Sequence, residues 1–68
     1  MTNAQIDKSA AEFVKQYGVA CGGDWTQMLM QAIKNGFPKV YAEMTDQAYT
    51  FGELWDIIKM NIQKGQVA

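Results

Sequence analysis

Tyr49-Thr50-Phe51-Gly52-Glu53-Leu54-Trp55-Asp56-Ile57-Ile58-Lys59-Met60-Asn61-Ile62 is the stretch on which the reading of the fold turns. Thr50 and Glu53 have the spacing of a reciprocal helix cap, in which each side chain accepts from the other residue's backbone amide. Tyr49 and Leu54 occupy the two positions of an apolar staple across that cap. Behind it, Phe51, Leu54, Trp55, Ile58 and Ile62 recur at helical spacing, which predicts the buried stripe of a helix over about 51–64, stopped by Gly65. Residues 47–51 alone would suit a pleated strand. A lone strand has nothing to pair with in this chain, so the helix is preferred.

Working back toward the N-terminus, glycine marks the breaks. Pro38 suits the first turn of a short helix over about 38–44, with Val40, Tyr41 and Met44 turned inward and Phe37 at the joint. Before it, Trp25, Met28, Leu29, Ala32 and Ile33 form one stripe on a helix over about 25–35, capped by Asp24 and ended by Gly36. The first helix covers about 3–17. Ile6, Ala10, Phe13, Val14 and Tyr17 share a face, Thr2 and Gln5 form a capping box, and Met1 can staple onto Ile6. Gly18 stands where a left-handed residue would end it. The expectation is an all-α fold: a compact single-domain bundle, residues 1–68, of three longer helices plus one short helix, joined by short connections and packed antiparallel. Its expected core comprises Ile6, Phe13, Val14, Trp25, Leu29, Ile33, Phe37, Tyr41, Phe51, Leu54, Trp55, Ile58 and Ile62. Its expected caps are Thr2, Asp24, Thr50 and Glu53.

Composition narrows the function. The 68 residues are 49% apolar with a net charge of −1, which is the reverse of a disordered chain. By size scaling they fold to a surface of about 4,300 Å², room for one small core. One cysteine cannot build an internal disulfide, and the absence of histidine removes imidazole chemistry. A lone thiol, no bilayer-length apolar run and no basic-then-apolar start lead us to expect a cytoplasmic protein without a membrane partner. Six lysines, no arginine and seven acids spread along the chain disfavour nucleic acid as a partner.

Each chemical motif has a plainer structural reading. Residues 18–23 have the opening glycine spacing of a phosphate loop, but Asp24 and Trp25 stand where that loop needs lysine and a hydroxyl. Cys21 as a nucleophile or redox thiol lacks a base and lies near Asp24, which disfavours the thiolate. No cluster of metal-ligand residues occurs. Of the carboxylates Asp7, Glu12, Asp24, Glu43, Asp46, Glu53 and Asp56, most have a helix-end or ion-pair role, such as Glu12 with Lys8 and Asp56 with Lys59. No catalytic residue, cofactor, metal or small-molecule substrate is therefore expected.

Apolar residues outside the stripes are more informative. Met30 lies off the face of its helix, Met60 points away from Phe51 and Ile62, and Ile57 sits on the shoulder beside Met60. In a bundle wrapped on several sides all three would be core. A chain this short has little with which to wrap a helix, so the three are read as a protein-interface candidate. The function expected is a small cytosolic protein-interaction module: a subunit, inhibitor or regulator of a larger protein, or a self-associating homodimer. A phage or mobile-element accessory protein is one form of it. The alternative is a weak helix-turn-helix DNA-binding regulator presenting Lys39 and Glu43, and a Cys21-dependent enzyme ranks last.

Overall fold

In a computed structural model, residues 2–20, 22–44 and 47–67 are described. They form four helices: α1 (Asn3–Tyr17), α2 (Trp25–Gly36), α3 (Pro38–Glu43) and α4 (Phe51–Val67). Among the described residues there is no strand, and three longer helices with one short one make the fold all-α.

Local chemistry explains where three of the helices start. Thr2 Oγ1 accepts from the Gln5 amide at 3.2 Å while the Thr2 amide donates to Gln5 Oε1 at 2.8 Å. Thr50 and Glu53 repeat the arrangement at 3.2 Å and 3.0 Å. Asp24 Oδ1 accepts from the Gln27 amide at 3.1 Å. Each bond satisfies an amide that a helix start leaves without an intrahelical partner. The Met1 staple lies outside the described residues.

The helix ends differ in detail from the sequence expectation. Gly18 is extended, at φ −72° and ψ 151°, not left-handed. Its role is steric: a Cβ there would crowd the Val14 carbonyl and the Met28 side chain. Gly36 is the last residue of α2, and Phe37 alone joins it to α3. The α3 helix stops at Glu43, before Met44. Gly65 does not stop α4, which continues to Val67.

Helix α1 packs on α2 and α4, and α2 packs on α3 and α4. Antiparallel packing holds for α1 and α4: Asp7 of α1 lies 3.7 Å from Lys59 Nζ, and Asn3 and Gln63 share one groove. Helix α1 meets α2 where Gly18 approaches Met28, Asn35 Nδ2 donates to the Tyr17 carbonyl at 2.9 Å and Phe13 lies over Gly36. The Phe13 ring stacks on Phe37 at 4.5 Å and tilts against Tyr17 at 4.8 Å. A side chain at residue 36 would occupy the ring's space.

Ile6, Ala10, Val14, Leu29, Ala32, Ile33, Leu54 and Ile58 are buried. Phe13, Phe37, Trp55 and Ile62 are partly buried against this cluster. Three expected core residues are not core. Trp25 and Phe51 are exposed at the starts of α2 and α4, and Tyr41 is exposed on α3 beneath the Lys34 ammonium, 5.9 Å from its ring centroid. For Trp25 and Phe51, the first residues of their helices, the reason is position along the helix axis. A Cα–Cβ bond tilts toward the helix N-terminus, so a first-turn side chain overhangs the end of its helix, past the neighbours that cover the same face further along.

Candidate functional site

The overhanging residues meet. Trp25 is 63% exposed and Phe51 is 45% exposed. Both line one shallow concavity with Gly23, Asp24 and Thr26. Phe51 is one turn before Trp55 on α4, and their rings stack at 6.1 Å with 10° between planes. That stack holds Phe51 on the outer side of the half-buried Trp55. Trp25 follows the capping Asp24, which fixes the start of α2 and so the exit direction of the indole. Gly22 and Gly23 turn with φ of 61° and 87°, and a Cβ on either would meet nothing within 4 Å. The loop beside the indole therefore carries no side chain at these two positions that could cover it.

The charge on this concavity is negative. Among the described residues that line it, Asp24 is the one ionisable group. One of its oxygens caps α2, and a carboxylate has about four acceptor sites, so it retains capacity for another donor. Glu53, also exposed at the start of α4, does not line the concavity; its Oε1 accepts from the Thr50 amide.

The interface residues expected from the stripes separate. Met60 is 56% exposed. Ile57 and Met30 are half-buried and pack against the core. Ile57 and Met60 do share a depression, between α3 and α4, with Val40, Met44 and Tyr49; Met30 does not line it. Met60 also borders the groove between α1 and α4, whose polar side holds Asp7, Asp56 and Lys59. Lys59 Nζ lies 3.7 Å from both carboxylates there.

All described carboxylates are exposed, and no group of three or more metal-ligand residues occurs among the described residues. Cys21 and Asp46 lie outside the described residues. No described helix is long and apolar enough to cross a membrane. The chain matches no known protein family, no curated protein and no solved structure.

The aromatic face was missed by periodicity because Trp25 and Phe51 have the right angle for their stripes. The available signal was their register: Asp24-Trp25 and Thr50-Phe51 each place an aromatic residue directly after a helix cap.

Proposed function

We propose that this chain is a small cytosolic protein-interaction module that acts by surface binding rather than catalysis, through the aromatic face at the starts of α2 and α4. The observation that carries the reading is the shared exposure of Trp25 and Phe51 around one concavity. Single exposed apolar residues are ordinary, but large aromatic side chains gathered at one place are the usual anchors of a binding surface. Exposed carboxylates without a buried polar partner among the described residues also suit binding better than acid–base chemistry. The cytosolic assignment rests on the single thiol among 68 residues.

The test compares protein capture from an extract of the source cells by the wild-type chain and by Trp25→Asp, Phe51→Asp and Met60→Asp variants. The partner is expected to be lost with the first two and retained with the third. Trp25→Asp suits the start of a helix and exposes no core, so its fold is expected to survive. Equal recovery with all four proteins would defeat this assignment of the face. Selective loss with Met60→Asp would move the binding surface to the α3–α4 depression.

A further inference from the structure

We infer that the aromatic concavity receives an arginine side chain of the partner, with the guanidinium over the Trp25 and Phe51 rings and against the Asp24 carboxylate. The inference rests on the interaction reading above and names the chemistry of the occupant. Three observations lead to it.

The first is the wall material. Trp25 and Phe51 present aromatic surface to solvent at one place. An aromatic face attracts a cation through its quadrupole, with tryptophan the strongest of the side chains. A planar guanidinium also stacks on such a face as a compact ammonium does not.

Charge complementarity is the second. Asp24 is the one ionisable group among the described lining residues. The six lysines of the chain all lie elsewhere: Lys8 and Lys15 on α1, Lys34 in the last turn of α2, Lys39 on α3, and Lys59 and Lys64 further along α4. None of the described lining residues is a cation that would neutralise Asp24.

Size is the third. At roughly 150–250 Å² for each aromatic side chain, the exposed parts of Trp25 and Phe51 amount to about 200 Å². A stable protein–protein interface buries about 800 Å² on each side. The patch is too small to hold a second copy of this chain by itself. A two-fold pair built on it would also bring like carboxylates toward each other, because such an interface matches each patch with itself. A single cationic side chain is the right scale for the concavity.

The experiment titrates the full chain with acetyl-Leu-Arg-Leu-amide and with the same peptide carrying leucine or glutamate in place of arginine. The readout is the indole N–H resonances of Trp25 and Trp55, distinguished by a Trp25→Phe variant. The arginine peptide is expected to shift the Trp25 resonance with millimolar affinity, about threefold to tenfold tighter than the leucine peptide. The glutamate peptide is expected to bind weakest. Asp24→Asn keeps the cap, since asparagine caps as well as aspartate. That variant should weaken the preference for arginine over leucine, as should about 1 M salt on the wild type, where screening acts within about 3 Å.

Equal shifts from the arginine and leucine peptides would overturn the cation while leaving an apolar docking face in place. A preference unchanged by Asp24→Asn would overturn the role of that carboxylate. If none of the peptides moves Trp25, the arginine seat is wrong; the capture experiment above then decides separately whether the face binds protein at all.

Discussion

A Cβ placed on Gly36 would overlap the ring of Phe13, whereas one placed on Gly52 meets nothing within 4 Å. Both are helical glycines, so alanine at either removes backbone freedom from the unfolded chain. At Gly52 that gain is unopposed, and Gly52→Ala is expected to stabilise the fold by about 0.5–1 kcal/mol. At Gly36 the ring has little room to retreat, because it already stacks on Phe37 and leans on Tyr17. Gly36→Ala is expected to cost about 1–2 kcal/mol net of the backbone gain. Urea denaturation of the two variants reads the difference directly; midpoints displaced in the same direction would contradict the packing of Phe13 over α2.

At the scale of the helices, the capping chemistry can be tested at the start of α4. Thr50→Ala removes the hydroxyl that accepts the Glu53 amide and is expected to destabilise the protein by about 1 kcal/mol. Thr50→Ser retains an equivalent oxygen and should recover most of that loss. If alanine and serine behave alike in thermal unfolding, the cap does not anchor this helix. Helix α3 is a different kind of element. It has six residues, no side-chain cap and no buried residue, so it depends on its packing against α2. It was legible in the sequence through Pro38, which occupies its first turn. As a recognition helix it offers Lys39 and Glu43, a cation and an anion that offset one another before phosphate.

For the molecule as a whole, surface is the limiting quantity. The accessible area is 4803 Å², about a tenth above the roughly 4,300 Å² that size scaling gives for this mass. The fully buried larger side chains are Leu29, Ile33, Leu54 and Ile58, drawn from α2 and α4. A domain of this length has a total stability of about 3–10 kcal/mol. Ile58→Ala is expected to remove about 2–4 kcal/mol of it and to leave a partly unfolded population at ordinary temperature. Trp25→Ala removes a larger side chain and is expected to cost under about 0.5 kcal/mol. Far-UV circular dichroism with thermal melts separates the two, and a Trp25→Ala loss as large as that of Ile58→Ala would show that the indole is covered after all.

Helix starts and the identity of the four helices were readable along the chain because a cap joins residues three apart and needs no distant partner. Thr2, Asp24 and Thr50 therefore stood in the sequence in the roles they hold in the fold. Burial of the aromatics was not readable in that way. Periodicity gives an angle around a helix axis, whereas coverage depends also on where neighbouring helices begin and end. Phe13 and Trp25 look alike as members of a stripe, yet one is partly buried over Gly36 and against Phe37 and the other hangs past the end of α2. That contact, and the meeting of Trp25 with Phe51 across 25 intervening residues, come from long-range packing alone.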